Sequence, residues 1–170
     1  MKAFADLYAR LDETTKTSEK VRAMVDYFGH VSPADAAWAI YFLTGRKPKQ
    51  VVPSARLRAW AMEEARIPDW LFQESYDAVG DIAETIALLL PPPIESSDLP
   101  LHQWVEKRLL PLRSKPEEEQ HRSILDAWRS LDQGQRFIYN KLISGGFRVG
   151  VSQQLVTRSL ADFSKLEPAL

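Results

Sequence analysis

The apolar positions along the chain recur with the three- and four-residue spacing of amphipathic helices. Phe4, Leu7, Tyr8 and Leu11 mark the first helix, and no segment alternates apolar and polar residues as a strand would. Helix-starting residues and breaks delimit further helices, which we predict near residues 17–28, 32–43, 53–65, from 68, 81–90, 101–112, 116–131, 132–143 and 152–163. The pattern therefore predicts an all-α fold of about ten to twelve helices.

One predicted helix has an unusual composition. Residues 37–43 are apolar on every face of the helix, whereas the neighbouring helices carry polar residues on one side. A helix that is apolar all round is usually buried. We therefore expect this helix to lie in the core.

A proline-rich break divides the chain near its middle. Three consecutive prolines begin at Pro91, and polar residues follow up to Asp98. We predict one domain over 1–170, with a first lobe of about 1–90, a crossover at 91–98 and a second lobe of about 98–170. The lobes are expected to be pseudo-symmetric, because a similar loop occurs in each.

This repeated loop is the strongest functional signal in the chain. The first copy follows Ile40-Tyr41 and the second follows Ile138-Tyr139, and each combines glycine, basic residues, valine and a serine near a new helix. Glycine allows a close approach of the backbone to a ligand, and a helix N-terminus offers free N–H groups to an anion. Two such loops suggest two separate binding sites for a phosphate backbone.

The distribution of charge supports this interpretation, although the net charge is only −1. Residues 44–58 contain five basic residues and no acid, and residues 136–158 contain four basic residues and no acid. Residues 63–84 carry seven acids and a single arginine. Basic charge is thus concentrated on the two loops and the helices that follow them, as expected of a surface that binds nucleic acid.

The composition argues against several other classes of protein. The chain has no cysteine, so a disulfide framework and a Cys-based zinc site are excluded, and its three histidines lack metal-ligand spacing. The longest apolar run is too short for a membrane span, and the first residues do not resemble a signal peptide. We expect a cytoplasmic protein that binds no metal and no membrane.

Four separated blocks of the chain resemble the N-terminal DNA-binding domain of bacterial ATP-dependent DNA ligases. The most specific block runs from Phe137 to Ser152 and contains an apolar helix, a small-Gly-x-x-Arg-x-Gly turn and a second helix start. Residues 11–17, 36–46 and 76–86 resemble other parts of the same family in the same order. The resemblance covers nearly the whole chain.

The resemblance implies a helical, pseudo-twofold domain that grips nicked duplex DNA without sequence preference, in DNA repair, replication and recombination. It also implies downstream adenylation and OB-fold domains, which would use ATP and Mg²⁺. The Lys-x-Asp-Gly motif of the ligase nucleophile is missing, since no Asp-Gly pair occurs. We therefore expect an isolated DNA-binding domain, monomeric, without catalytic residues or a bound cofactor of its own, and inactive in nick sealing by itself.

The predicted DNA-binding residues fall into three groups, which are a helix start, the first loop with its helix, and the second loop with its helix. They are Thr15, Lys16, Thr17 and Lys20; Thr44, Gly45, Arg46, Lys47, Lys49, Ser54, Arg56 and Arg58; and Ser144, Gly145, Gly146, Arg148, Gly150, Ser152 and Arg158. In the first loop a single glycine and two prolines replace the glycines of the second, so its lysines are expected to contribute more of the binding.

Two alternatives remain open from the residues. A helical-repeat scaffold that holds a peptide would have an apolar or mixed-charge groove, with the basic loops dispersed. A self-contained enzyme is disfavoured, because no nucleophile–base pair, metal cluster or phosphate-binding P-loop is visible in the sequence.

Overall fold

The computed structural model describes residues 1–49, 51–144, 147 and 149–165. Over these residues it contains ten α-helices and no strand, so the all-α prediction is confirmed. In chain order they are α1 (Lys2–Asp12), α2 (Thr17–His30), α3 (Pro33–Leu43), α4 (Ser54–Ala65), α5 (Asp69–Val79), α6 (Ile82–Leu89), α7 (Leu101–Gln103), α8 (Glu117–Ser130), α9 (Gln133–Ser144) and α10 (Gln153–Ser164).

Three helices begin at side-chain caps that the sequence pattern indicates. Ser32 accepts a hydrogen bond from the Asp35 N–H, Asp81 accepts one from Glu84, and Ser152 accepts one from Leu155, at 3.0 to 3.2 Å. Each cap satisfies an N–H group that has no partner within its helix. The predicted starts of α3, α6 and α10 follow from these bonds.

The helix predicted over 101–112 is not a continuous α-helix. The backbone passes from α7 into a π-helical segment, Trp104–Leu109, and then into a 3₁₀ segment, Leu110–Ser114. Pro111 lies at this change and has no N–H to donate, while its ring would collide with the carbonyl four residues earlier. The α-helical hydrogen-bond pattern therefore cannot continue through this position.

The described residues form two compact units that do not follow chain order. Unit 1 contains residues 1–47, 100–102 and the described residues from 147 onward, whereas unit 2 contains the described residues of 48–99 and 103–144. The predicted lobes were sequential, so these units divide the chain differently. The reason is that α10 packs against α2 and α3, which brings the end of the chain into the unit of its first helices. The pseudo-symmetry stays a prediction.

An aromatic cluster forms the core of unit 1. The Phe4 ring on α1 lies 6.2 Å from Tyr27 and 6.1 Å from Phe42, measured between ring centroids. Phe147 joins the cluster at 5.7 Å from Phe4. Rings at these separations, in tilted or offset arrangements, pack favourably beyond the area they bury.

Helix α3 is not buried on every side, contrary to expectation. Ala39, Phe42 and Leu43 are buried, but Ala37 is exposed and Tyr41 is half-buried. The apolar residues of α3 that do not face the core, among them Ala37 and Tyr41, line a surface groove instead. This groove is part of the candidate site.

The core of unit 2 is built where α6 packs against α9. A buried polar link crosses it: the Trp128 indole N–H donates to the Asn140 side-chain oxygen at 2.8 Å, and the Asn140 amide donates to the Ala83 carbonyl at 3.3 Å. Asn140 is 1% exposed and Trp128 is fully buried. This link fixes α9 against α6 and α8.

Candidate functional site

The first predicted loop begins with a tight end of α3. Gly45 has a φ of +79°, and its N–H donates to the Phe42 carbonyl at 2.9 Å. The Arg46 N–H donates to the Tyr41 carbonyl at 3.2 Å, which completes a Schellman motif. The Thr44 hydroxyl donates to the Ile40 carbonyl at 2.7 Å. Thr44 and Gly45 therefore shape the turn, and the hydrogen bond of the Arg46 N–H fixes the backbone that follows it.

The basic side chains after this turn are exposed. Arg46 and Lys47 in unit 1 and Lys49 in unit 2 lie on the surface, and none forms an ion pair within residues 1–49, 51–144, 147 and 149–165. Unpaired guanidinium and ammonium groups keep all their donors available to an anion. Their exposure and lack of ion pairs among the described residues are thus compatible with the predicted binding of phosphate.

The second predicted loop is held by an aromatic side chain. Phe147 stacks on Phe42, with centroids 5.5 Å apart, and meets the Tyr8 ring edge-on at 5.5 Å. Gly145, Gly146 and Arg148, which we predicted to bind DNA, lie outside the described residues. The described part of the loop is fixed to the core of unit 1 by the residue between them.

Lys20 holds the same loop from inside unit 1, through hydrogen bonds to its backbone. Its ammonium donates to the Val149 and Gly150 carbonyls at 2.8 and 3.1 Å, and the residue is only 7% exposed. Gly150 has a φ of +60°, and a Cβ there would lie 2.9 Å from the Lys20 nitrogen. The structure therefore places Lys20 inside unit 1, with two of its three donors used by the protein.

A groove in unit 1 brings the first loop to the start of α10. It has a volume of about 320 Å³, and its walls carry the polar groups of Thr44, Arg46, Gln153 and Thr157. Its apolar lining is Ala37, Ile40, Tyr41, Val156 and Leu160. None of these lining residues is acidic. Arg46 and one face of α10, from Gln153 to Leu160, thus line one concave surface, and its lining includes no carboxylate.

The residues predicted at the start of α2 are mostly on the surface. Thr15, Lys16 and Thr17 are exposed. Lys16 forms an ion pair with Glu19 at 2.9 Å, and the Thr14 hydroxyl also donates to this carboxylate. These two interactions, the Thr14 bond first, hold the pKa of Glu19 below its ordinary value. The start of α2 adjoins the second loop through Lys20.

Most remaining predicted residues belong to unit 2 and are engaged there. Arg56 pairs with Glu117 at 2.8 Å, and Arg58 donates to Asp69 at 2.7 Å and lies over the Phe72 ring. Ser54 and Ser144 are half-buried at helix ends. In unit 1, Arg158 is exposed on α10 and Ser152 caps that helix.

Two basic residues in the second acid-free stretch have structural partners. Arg136 is buried and donates to the Trp128 and Pro91 carbonyls at 2.5 and 2.6 Å. Burial lowers the pKa of its guanidinium. Lys141 forms an ion pair with Asp81. The charge that this stretch offers to an anion is therefore smaller than the sequence count suggests.

Sequence reasoning missed three residues of the site. Phe147 is the one aromatic residue between glycines in a polar loop, and such an isolated apolar side chain is a signal for a core contact. Gln153 and Thr157 lie four residues apart on α10, so they share one face of the helix. That spacing is visible in the sequence, but the groove they face depends on the packing of α10.

Within the part of the chain that the structure describes, no helix is long and apolar enough to cross a membrane. The described residues also include no group of three or more His, Cys, Asp or Glu side chains arranged to hold a metal ion.

The fold defines a class of protein, an all-α domain, and its groove is lined by an arginine and by no acidic residue. The family model described as DNA ligase N terminus matches residues 1–161. The chain therefore belongs to this family, the N-terminal domain of ATP-dependent DNA ligase, and is a DNA ligase domain. No curated protein sequence matches the chain.

Proposed function

We propose that the chain binds duplex DNA, nicked or intact, without sequence preference, as the DNA-binding domain of an ATP-dependent DNA ligase. Membership of the family supports a role at DNA. The observation that carries the proposal is the groove in unit 1. It is lined by Arg46, which has no ion-pair partner among the described residues, and by one face of α10, and none of its lining residues is acidic.

The chemistry of this groove suits the sugar–phosphate backbone. A guanidinium offers several planar donors to phosphate oxygens. Ser152 satisfies the Leu155 N–H, and the Gln153 and Gln154 N–H groups have no carbonyl partner within α10. The apolar lining from Ile40, Tyr41 and Val156 suits the apolar edge of a deoxyribose. Contacts of this kind position a protein on DNA without reading bases.

The proposed contacts come from the exposed members of the three predicted groups. In unit 1 they are Thr15, Lys16, Thr17, Arg46, Lys47, Gly150, Ser152 and Arg158. Lys49 in unit 2 adds an ammonium that has no ion-pair partner among the described residues. Gly145, Gly146 and Arg148, which lie outside the described residues, are added from the sequence prediction. Arg56 and Arg58 would have to exchange a carboxylate partner for a phosphate, so their contribution is expected to be smaller.

The domain would hold a nick for the adenylation and OB-fold domains of the same ligase. Those domains would supply the chemistry with ATP and Mg²⁺, and the place of action would be the cytoplasmic nucleoid, in repair, replication and recombination. The proposal also expects a monomer. No AMP adduct should form on this chain with ATP and Mg²⁺, because the Lys-x-Asp-Gly motif is absent from its sequence.

A salt titration tests the proposal. Fluorescence anisotropy would follow binding to labelled duplexes of two unrelated sequences, each nicked and intact. If about four to six phosphates are neutralised, log K against log salt has a slope of about −4 to −5. A slope near zero, or a strong preference for one sequence, would contradict DNA binding of this kind and would favour a peptide-binding scaffold.

Two arginine variants and a matched control locate the interface. Arg46→Ala and Arg148→Ala should each weaken binding by about 1–2 kcal/mol and reduce the slope by about one unit. Arg113→Ala removes an exposed arginine of the 3₁₀ segment in unit 2 and should change neither. If Arg46→Ala and Arg148→Ala change the affinity and the salt slope no more than Arg113→Ala does, the groove is not the DNA-binding surface.

A further inference from the structure

The ammonium of Lys20 is a buried charge without a carboxylate partner among the described residues. Lys20 is 7% exposed, and its hydrogen bonds in the described part of the chain go only to the Val149 and Gly150 carbonyls. Buried charges are usually paired with an opposite charge, because removing them from water is costly. Two neutral carbonyls compensate this cost only in part, so a lysine at this position is expected to lower the stability of the free protein.

The position of these carbonyls suggests what the charge does. Gly150 is in the left-handed region at a φ of +60°, and its carbonyl and that of Val149 both turn inward to the same nitrogen. Because both carbonyls accept hydrogen bonds from one ammonium, they hold the loop in one backbone conformation. Ser152, which caps α10, follows two residues later. Lys20 therefore orders the chain that leads into the N-terminus of α10.

We infer that Lys20 is a positioning residue for DNA binding, which orders the loop at 149–152 without touching a phosphate. This inference rests on the proposed function. It differs from the sequence-based expectation for Lys20, in which the ammonium itself contacts phosphate. A 7% exposed ammonium that already gives two donors to the Val149 and Gly150 carbonyls has neither the exposure nor the reach for that contact.

The salt dependence of binding distinguishes the two roles. A residue that contacts phosphate releases counterions, so its removal reduces the slope of log K against log salt by about one unit. A positioning residue leaves the number of phosphate contacts unchanged and weakens binding because the loop must then be ordered on binding. Lys20→Met keeps the aliphatic length of the side chain and removes both the donors and the charge.

We expect Lys20→Met to weaken binding to a nicked duplex by about tenfold, with a slope within about 0.3 units of the wild-type slope. Arg46→Ala, measured in parallel, should lose about one unit of slope. Circular dichroism at the same temperature would establish that each variant is folded. Loss of a full slope unit in Lys20→Met, or unchanged affinity, would overturn the inference.

Gly150→Ala offers a second route that leaves α2 unaltered. A Cβ at position 150 would lie 2.9 Å from the Lys20 nitrogen, so the ammonium must move from its carbonyls. The two substitutions disturb one interaction, and their effects on affinity should therefore be less than additive in the double variant. Full additivity would mean that Lys20 and the loop act separately. If Lys20→Met does not fold, Gly150→Ala alone tests the inference: weaker binding with an unchanged slope supports it, and unchanged affinity overturns it.

A measurement without DNA separates failure of this inference from failure of the proposed function. Amide hydrogen exchange of the free protein should rise at residues 149–152 in Lys20→Met and stay unchanged in α1 and α3. If exchange rises as expected but no variant binds DNA, Lys20 orders the loop and the proposed function is wrong. If exchange is unchanged, Lys20 does not order the loop, whatever the chain binds.

Discussion

The ring of Phe147 stacks on the ring of Phe42, with 5.5 Å between their centroids and 21° between their planes. Phe42 lies in the last turn of α3, directly before the turn at Gly45, and Phe147 lies in the loop that leads to α10. The stack therefore joins the two predicted loops to one aromatic core. The placement of the basic residues depends on packing as much as on the loops themselves.

We predict that Phe147→Ala lowers both stability and DNA affinity. The side chain is half-buried and touches three other rings, so its removal should cost about 2–3 kcal/mol of unfolding free energy, less than for a fully buried phenylalanine. Urea denaturation would measure this loss. DNA affinity, measured where the variant is still folded, should also fall, because the loop loses its attachment.

Trp70→Ala is the matched control for the loss of an aromatic side chain. Trp70 is 66% exposed on α5 of unit 2, so its removal should change the unfolding free energy by less than about 1 kcal/mol. Equal effects of the two substitutions on stability would show that Phe147 is not part of the core.

A second prediction concerns the buried link in unit 2. Asn140→Leu would leave the buried Trp128 indole N–H without its partner, and an unpaired buried group costs about 1–3 kcal/mol. We expect a loss of about 1–3 kcal/mol in unfolding free energy by urea denaturation. The folded fraction should bind DNA as the wild type does. An unchanged stability would mean that this link contributes nothing net.

The helices of this protein were largely predictable from sequence, because their signals are local. Serine or aspartate caps and apolar spacing identified the starts of α3, α6 and α10. The helix over 101–112 was mispredicted, since apolar spacing gives no information on whether the backbone is α, π or 3₁₀. Pro111 was the available signal, and it outweighs the periodicity around it.

The candidate site was predictable only in part. Glycine, basic residues and a helix start indicated the turn at Gly45 and the exposed Arg46. The sequence could not reveal that Lys20 is buried beneath Gly150, because the two residues are 130 positions apart and meet only through the packing of α10 on α2. The division of the chain into interleaved units was hidden for the same reason.

The pH dependence of stability provides a third prediction. Arg129 donates two hydrogen bonds to the Glu64 carboxylate, at 2.8 and 2.7 Å, and they hold the pKa of Glu64 below its ordinary value of 4.5. A lowered pKa in the folded state means that the pair stabilises above pH 4.5 and loses this effect as the pH falls through the folded-state pKa.

Glu64→Gln should therefore be less stable than the wild type at pH 7, by about 0.5–1 kcal/mol for a partly exposed pair. The difference should shrink as the pH falls below 4.5. Urea denaturation at several pH values would measure it. Glu118→Gln, at a carboxylate 89% exposed beside Arg122, should show no such difference. A gap between Glu64→Gln and the wild type that is constant with pH would exclude ionisation as its cause.

The last prediction uses two glycines with the same backbone but different surroundings. Gly45 and Gly80 have φ angles of +79° and +78° at the ends of α3 and α5, and a Cβ at either would meet no atom within 4 Å. Alanine is strained in this region, so each Gly→Ala substitution should cost about 1 kcal/mol of unfolding free energy. Asparagine tolerates the conformation better and should cost less.

DNA binding should separate the two positions. In the proposed function a phosphate backbone approaches the first loop closely, so a side chain on Gly45 would occupy space that the DNA needs. Gly45→Asn should therefore weaken binding to a nicked duplex several-fold while losing little stability, whereas Gly80→Asn in unit 2 should bind like the wild type. Anisotropy titrations and urea denaturation of the four variants would test this. If Gly45→Asn binds DNA as tightly as Gly80→Asn, the glycine serves only to end α3, and the DNA does not approach this loop.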